Sequence, residues 1–236
     1  MMAKEEILFL SQHVGLHMLR RLEWMTLQPE IIIEMNSQKG VCAELLQKRY
    51  PKAKIVSLTT DEIEIITLPE QSVDLIFANM TIPWCHDLKK MLYDCRRLLR
   101  LDGLFIFSSL GPDTLQELRA EFADAILIHL MDMHDIGDEL IHARFQDPVL
   151  DVDSLQVTYR QCETLIAELQ SMHILAEDLT LRQLEANSEG LFNLTYEVIY
   201  GHAWGPSVTV DNTADEDGVV KIPLSHLRRS NKHFLK

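Results

Sequence analysis

Residues 31–40, IIIEMNSQKG, constrain the fold more than any other stretch of the chain. Three consecutive isoleucines predict a strand buried on both faces, as in a parallel sheet covered by helices. Glu34 follows at the strand's carboxyl end, and the run VCAELLQKRY then has the apolar spacing of a helix. Strand, acid, tight loop and helix form the layout of a nucleotide-binding α/β protein, in which the ligand lies over the strand's carboxyl end.

Further apolar runs alternate with helical segments along the first half of the chain. Residues 54–58, 73–80 and 104–110 predict strands, and residues 86–100 predict an amphipathic helix between the last two. This alternation is typical of an α/β, doubly wound, mostly parallel sheet. Only 14 residues separate Leu58 from Val73. Since one crossover takes at least ~10–12 residues, we predict that the sheet is truncated at this edge.

The second half of the chain changes character. Residues 113–145 predict mainly helices, residues 151–160 a half-exposed strand, 161–173 a helix and 194–204 a last strand. From residue 205 the composition turns polar and acidic, which indicates the end of the ordered domain. We therefore expect an α/β domain over 1–112 and 146–204, a helical segment over 113–145, and a flexible tail over 205–236.

The net charge of −14 is unevenly placed, because residues 220–236 hold five cations and no acids. The remaining acidic body would repel nucleic acid, and the tail is either a contact arm or a solvated terminus. No apolar run approaches the ~20 residues of a membrane span. Four cysteines without C-x-x-C spacing predict reduced thiols and no metal site. We therefore expect a cytoplasmic protein without nucleic-acid or membrane partners.

Five stretches follow one another in the order of a known family. They are RLEWMTLQP (21–29), VDLIFANMTIPWCHDL (73–88), RRLLRLDGLFIFSSLGPDTLQELR (96–119), MHDIGDELIHARFQDPVLDVD (133–153) and TYEVIYGHAW (195–204). The chain in this respect resembles the BioC-type malonyl-carrier-protein O-methyltransferases of biotin synthesis. These belong to the class I S-adenosylmethionine (SAM) methyltransferases.

The resemblance implies a Rossmann-like sheet of seven strands, with SAM across the strand carboxyl ends and a small helical lid over residues 113–145. The implied acceptor is a malonyl thioester on an acyl-carrier protein, whose carboxylate attacks the sulfonium methyl in line. Such a reaction depends on positioning rather than on acid–base work, because a carboxylate is already ionised at neutral pH. No catalytic residue is therefore assigned.

The cofactor site departs from the family's D-x-G-x-G-x-G loop, since Asn36 and Gln38 stand at two glycine positions. A left-handed backbone costs a non-glycine residue ~1–2 kcal/mol. The family's ribose-binding acid falls near Thr59, which carries no carboxylate. The resemblance implies SAM contacts at Glu34, Asn36, Gly40, Thr59 and Asn79.

These departures leave two hypotheses for function. One is SAM-dependent methyl transfer to the malonyl carboxylate in biotin synthesis. The other is a non-catalytic paralogue that has lost SAM binding and acts as a partner-binding or assembly protein.

Candidate contacts to the acceptor lie in the later motifs. They are Trp84, His134, Asp135, Tyr200 and His202. Each has a structural alternative: core packing for Trp84, Tyr200 and His202, and helix capping for His134 and Asp135, with Asp135 as candidate N-cap.

One face of helix 86–100 is basic. It carries Lys89, Arg96, Arg97 and Arg100, among others. This face is either a dock for an acidic carrier protein or a plain solvated surface.

Overall fold

The computed structural model describes residues 9–36, 42–59, 68–122, 126–176, 186–187 and 189–206. The chain divides into two compact units, Met1–Pro206 and Ser207–Lys236. The second unit lies outside the described residues, as does almost all of the tail expected from the sequence.

A six-stranded sheet forms the centre of the first unit, in the order β2-β1-β3-β4-β6-β5. Its strands are β1 (Ile31–Asn36), β2 (Lys54–Leu58), β3 (Val73–Asn79), β4 (Leu99–Leu110), β5 (Gln146–Tyr159) and β6 (Phe192–Trp204). Strands β2, β1, β3 and β4 are parallel, and β6 runs antiparallel to both of its neighbours. The sheet is therefore mostly parallel, with one reversed strand near its edge.

Within the described residues, six α-helices cover the two faces of this sheet. They are α1 (Phe9–Arg21), α2 (Ala43–Arg49), α3 (Leu88–Leu98), α4 (Gln116–Phe122), α5 (Met133–His142) and α6 (Cys162–Ser171). One hydrophobic cluster contains side chains of α1, α2 and α6, together with Leu118 of α4. A second cluster contains side chains of α3 and α5 and lies on the other face. Burial on both faces explains why β1 consists of continuous apolar residues.

The local sequence explains why these elements form and end where they do. Met91, Leu92, Cys95 and Leu98 of α3 are buried, while Asp87 caps the helix by accepting a hydrogen bond from the Lys90 amide. Strand β5 tolerates Pro148 because it is the outermost strand of the sheet, where a missing N–H breaks no ladder. The register between β5 and β6 shifts at this point, between Gln146 and Val149.

The structure differs in three details from what the sequence led us to expect. The resemblance implied seven strands, whereas the described residues form six, with β2 at the edge where we expected truncation. The N-cap of α5 is Asp132, not Asp135, because its side chain accepts from the amide of His134. Residues 113–145 contain α4 and α5, which pack on opposite faces of the sheet.

Within the described residues, we find no helix that combines the length and apolar character needed to cross a membrane.

Candidate active site

Polar side chains lie side by side where four neighbouring strands end. Asn36 of β1 pairs with Asn79 of β3, and Thr59 directly follows Leu58, the partner of Met35. Ser108 is level with Asn79, because Ala78 pairs with Phe107. The structure therefore brings three predicted cofactor residues, Asn36, Thr59 and Asn79, to one level of the sheet. This level lies where β2 and β3 occupy opposite sides of β1, the position at which open α/β sheets bind ligands.

Glu34 stabilises the start of α2 from inside the protein. Its side chain is fully buried, and its Oε1 accepts a hydrogen bond from the backbone N–H of Cys42 at 3.1 Å. Cys42 is the N-cap residue of α2, so this bond connects the end of β1 with the helix across residues 37–41. Gly40 and Gln38 are among these five residues, which lie outside the described part of the chain.

Asn79 joins three parts of the fold through its side chain. Its Nδ2 donates to the carbonyl oxygen of Ser11 in α1 at 2.8 Å and to Sγ of Cys42 at 3.4 Å. Its Oδ1 accepts from the hydroxyl of Ser108 at 3.0 Å. Because Asn79 is fully buried and its amide is bonded at both ends, it fixes α1, α2 and β4 relative to the end of β3.

Helix α1 approaches this network very closely at Gly15. A Cβ on Gly15 would lie 2.5 Å from Sγ of Cys42 and 3.1 Å from Nδ2 of Asn79. No side chain larger than hydrogen fits there without movement of the neighbours. Burial, and secondarily the charge of Glu34, raise the pKa of the Cys42 thiol to about 12, so this thiol is a packing group rather than a nucleophile.

The chain after β3 carries strain and two unpartnered polar atoms. Met80 has a positive φ of 51°, and its N–H donates to the hydroxyl of Ser108 at 2.9 Å. A left-handed conformation costs a residue such as methionine ~1–2 kcal/mol, and such strain is common at functional sites. Within the described part of the chain, the buried Oγ1 of Thr81 and Nε1 of Trp84 have no hydrogen-bond partner. Both atoms therefore lack, within the described residues, the partner that buried polar groups usually have.

Residues 126–131 cross from one face of the sheet to the other beside Trp84. Leu130 packs against the cluster around α1, whereas Met131 packs against the cluster around α3. The amide of His129 donates to the carbonyl oxygen of Pro83 at 2.9 Å, and the amide of Leu127 donates to that of Ile174 at 2.8 Å. This segment, which we call the strap, connects the turn Ile82–Trp84 with the residues after α6.

Two of the motifs quoted above contact each other directly. The amide of Asp113 donates to the carboxylate of Glu197 at 2.7 Å, and the hydroxyl of Thr114 bonds to both backbone groups of Glu197. The carboxylate of Glu117 accepts from the amide and hydroxyl of Thr195. LGPDTLQELR is thereby fixed to the start of TYEVIYGHAW, next to the end of β4.

Tyr200 and His202 lie beneath the C-terminal part of α1. The guanidinium of Arg21 stands 4.1 Å from the centre of the Tyr200 ring and also pairs with the carboxylate of Asp151. Burial raises the pKa of Tyr200 to about 12 and lowers that of the half-buried His202. Within the described residues, neither side chain forms a hydrogen bond with Asn79 or Trp84.

His134 and Asp135 stand exposed at the start of α5. The ring Nδ1 of His134 is 2.7 Å from Oδ1 of Asp132, which also accepts from the His134 amide. The hydrogen bond from the His134 amide is the main cause that lowers the pKa of the Asp132 carboxyl. Of the predicted acceptor contacts, only Trp84 lies beside the row of Asn36 and Asn79.

Comparison with known proteins shows the family to which the chain belongs. Malonyl-[acyl-carrier protein] O-methyltransferase 1 of Coxiella burnetii is 33% identical over 246 residues, covering 91% of this chain and 87% of that protein. The malonyl-[acyl-carrier protein] O-methyltransferase of Gallionella capsiferriformans is 30% identical over 263 residues, covering 92% and 89%. The chain belongs to the malonyl-[acyl-carrier protein] O-methyltransferase family. A family model described as a methyltransferase domain also matches residues 22–107.

Solved structures place the fold of this family member among the methyltransferases. The YcgJ protein of Bacillus subtilis aligns with a TM-score of 0.55 and 10% identity, over 83% of this chain and 99% of that one. A SAM-dependent methyltransferase from Archaeoglobus fulgidus aligns with a TM-score of 0.51 and 12% identity, over 82% and 94%. The class I methyltransferase fold expected from the sequence is confirmed.

The four basic residues predicted for carrier docking all have partners within this malonyl-[acyl-carrier protein] O-methyltransferase family member. Lys89 lies 3.6 Å from a carboxylate oxygen of Glu139. Arg97 pairs with Asp94, Arg100 with Asp74, and Arg96 donates to the carbonyl oxygen of Arg144. Since α3 leads from the end of β3 to the start of β4, only Lys89 lies at the carboxyl edge of the sheet.

Sequence reasoning missed three residues of this family member's site: Gly15, Cys42 and Ser108. A single glycine within an apolar, helix-like run was the available signal for Gly15, because such a glycine often marks close packing. Cys42 and Ser108 carry no local signal, since their roles depend on contacts with Asn79 from distant parts of the chain.

Proposed function

We propose that this protein transfers a methyl group from SAM to the free carboxylate of a malonyl thioester on acyl-carrier protein, an early step of biotin synthesis. The observation that carries the proposal is the identity of 33% and 30% to two relatives with this activity in their names, over more than nine-tenths of the chain. Neither comparison favours the non-catalytic hypothesis, because both relatives are named as enzymes.

The described residues fit a ligand of the SAM type at the row of Asn36, Thr59 and Asn79. The row lies at the carboxyl ends of the central strands. Two buried polar atoms beside it, Oγ1 of Thr81 and Nε1 of Trp84, have no partner among the described residues. A buried donor without a partner costs ~1–3 kcal/mol, so these atoms favour a polar ligand. When bound, SAM supplies an electrophilic methyl group for the carboxylate.

Glu34 and Asn79 act in this proposal as positioning residues. Both are fully buried, so neither presents an exposed atom to a ligand. Glu34 holds the start of α2, and Asn79 holds α1 against the end of β3. They therefore fix α1, α2 and the end of β3 relative to one another beside the proposed ligand site. Methyl transfer to an ionised carboxylate needs this precision because no proton transfer assists it.

Trp84 is the chain's best candidate for direct contact with the acceptor. Its indole ring packs against the core cluster around α1, while its N–H has no partner within the described residues. An indole N–H is a donor only, so it suits a carboxylate or thioester oxygen. The strap, which bonds to Pro83 next to Trp84, would exclude water from this position.

We further propose that the carrier protein docks near Lys89. Its side chain is 78% exposed and stands at the end of α3 that meets the carboxyl edge. Arg96, Arg97 and Arg100 lie toward the opposite end of α3 and are held by intramolecular bonds. An exposed cation at the edge would steer an acidic carrier toward the site more than it would add affinity.

The decisive experiment is a methyl-transfer assay with purified protein, SAM and malonyl-acyl-carrier protein. We expect equimolar formation of S-adenosylhomocysteine and methylated carrier, and no transfer to acetyl-acyl-carrier protein, which lacks the free carboxylate. Calorimetric titration with SAM alone separates the steps. Folded protein that binds no SAM at millimolar concentration and transfers no methyl group would refute the proposal and support the non-catalytic hypothesis.

A further inference from the structure

A second cavity lies on the side of α1 that faces β5 and α6. Its volume is about 830 Å³, within the range of ~300–1,000 Å³ that small-molecule pockets occupy. Its described lining comprises Phe9 and Gln12 of α1, residues 155–159 of β5, and Gln161, Thr164 and Glu168. The walls are therefore a mixture of apolar side chains, amides and hydroxyls around one carboxyl group.

Glu168 is the one acidic residue among the described lining residues, and one of its carboxyl oxygens has no hydrogen-bond partner among them. Its exposure is 6%, and its Oε1 has no hydrogen-bond partner in the described part of the structure. The Tyr159 hydroxyl and the Leu10 amide at the start of α1 lie beside this carboxyl group and favour its charged form. Oε1 is left without a donor from the described residues.

The charges of the lining residues indicate which kind of ligand would donate a hydrogen bond to Glu168. No lining residue that the structure describes is a lysine, arginine or histidine, so an anionic ligand would find no counter-charge. Burial raises the pKa of the Glu168 carboxyl, since a buried carboxylate without a cation is unfavourable. A ligand with an ammonium group would supply the missing cation and the missing donor together.

Helix α1 separates this cavity from the row at the carboxyl edge. Ser11 and Gly15 face Asn79 and Cys42. Phe9 and Gln12 lie on another side of the same helix and line the cavity. Strand β5 is also three strands from β3, or ~14 Å at the usual strand spacing. The cavity is therefore a separate site and not an extension of the methyl-transfer site.

We propose that this cavity binds a small amine with an apolar body, whose ammonium group donates a hydrogen bond to the carboxyl group of Glu168. The rings and aliphatic side chains of Phe9, Leu155, Val157 and Tyr159 cover the apolar body. The ligand class follows from the carboxyl group and its surroundings. It does not depend on the proposed methyl-transfer reaction.

Calorimetric titration of the full-length protein with n-hexylamine, 1-hexanol and hexanoate tests the proposal. These probes share one apolar chain and differ in the charge of the head group. We expect the amine to bind at least tenfold more tightly than the alcohol, and hexanoate to show no binding. Equal affinity for amine and alcohol, or no binding of the amine, would overturn the proposal.

Matched variants locate the binding. Glu168→Gln keeps the size of the side chain and one acceptor oxygen but removes the charge, and we expect at least a tenfold loss of amine affinity. Glu163→Gln makes the same charge change at an exposed position of α6 and should leave affinity unchanged. Thr164→Phe places a bulky ring in the cavity about one helical turn from Glu168, without a change of charge, and should weaken binding at least tenfold. If Thr164→Phe and Glu168→Gln both retain wild-type affinity, the amine binds elsewhere and the proposal is wrong.

The pH dependence provides an independent readout. The groups around Glu168 are Tyr159 of β5, Tyr196 of β6 and the Leu10 amide of α1. None of them carries charge near neutral pH, since burial raises the pKa of both tyrosines. Amine affinity should therefore rise with pH as Glu168 ionises, and this rise should disappear in Glu168→Gln. Identical pH profiles for the two proteins would contradict the assigned contact.

Discussion

The carboxylate of Glu34 accepts a hydrogen bond from the backbone N–H of Cys42 at 3.1 Å, inside the core and without exposure to solvent. Glu34 therefore has a structural role within the protein. It fixes the start of α2, and with it the two ends of residues 37–41. The positions on either side of residues 37–41, which contain one glycine, are thus held together by this bond.

Replacement of Glu34 by alanine tests this role. The Cys42 amide would lose a buried acceptor, and we expect a loss of ~1–3 kcal/mol in the free energy of unfolding. SAM affinity should fall as well, because the loop ends would no longer be fixed. Glu44→Ala, at an exposed position in the first turn of α2, is the matched control. Urea denaturation and SAM titration measure both effects, and equal behaviour of the two variants would exclude a positioning role for Glu34.

The row at the carboxyl edge was predictable from sequence for a physical reason. Asn36, Thr59 and Asn79 each end or follow an apolar run, and the ends of parallel strands meet at one edge of a sheet. The position of α1 was not predictable, because it depends on long-range contacts of Gly15 with Cys42 and Asn79.

The start of β5 could not be predicted from the sequence either. The alternating pattern predicted a strand over residues 151–160, but β5 begins at Gln146 and includes Pro148. An edge position tolerates proline within a strand, and only the strand order reveals that position. The capping of α5 was also ambiguous, because Asp132 and Asp135 both precede or begin the helix and only backbone geometry distinguishes them.

Gly15→Ala is expected to destabilise the protein despite the better helix propensity of alanine. The new Cβ would lie 2.5 Å from Sγ of Cys42, and overpacking of this kind typically costs ~1–3 kcal/mol. Cys42→Ala removes the sulfur, so the double variant should be more stable than the sum of the single losses predicts. A coupling of ~0.5–3 kcal/mol is usual for residues in contact.

Gly137→Ala is the matched control for the Gly15 prediction. A Cβ on Gly137 would meet only Cδ1 of Leu150, at an ordinary 3.7 Å. Alanine should therefore stabilise α5 by ~0.5–1 kcal/mol. Thermal and urea denaturation of all four variants completes the cycle. Additive losses at Gly15 and Cys42 would show that the close approach of α1 is not a real constraint.

His202 should make the fold sensitive to mild acid. Burial, and to a lesser extent Arg21, lower the pKa of His202, while Asp151 opposes this shift. A lowered pKa in the folded state means that the unfolded chain binds the proton more readily. The contribution of His202 is therefore fully present above the ordinary histidine pKa of ~6.5 and is lost as the pH falls below it. Urea denaturation between pH 7.5 and pH 5 should show a smaller decline for His202→Gln than for wild type, and a constant difference would contradict this sign.

Trp84→Phe separates the two roles that sequence reasoning left open for this residue. Phenylalanine keeps an aromatic ring against the core but removes the N–H that has no partner in the described structure. If that N–H donates to the acceptor, malonyl-carrier methylation should fall by about tenfold, as expected for the loss of one hydrogen bond of ~1.4 kcal/mol. The free energy of unfolding should stay the same or rise slightly, because an unsatisfied buried donor disappears.

Trp24→Phe is the control for this last prediction. The substitution also removes an indole N–H, but at a side chain that is 91% exposed. It should change neither activity nor stability. A ligand contact at Trp84 would also raise KM for the malonyl carrier while leaving SAM affinity from calorimetry unchanged. Loss of stability without loss of activity in Trp84→Phe would instead assign the ring to core packing. That result would exclude Trp84 from the acceptor site.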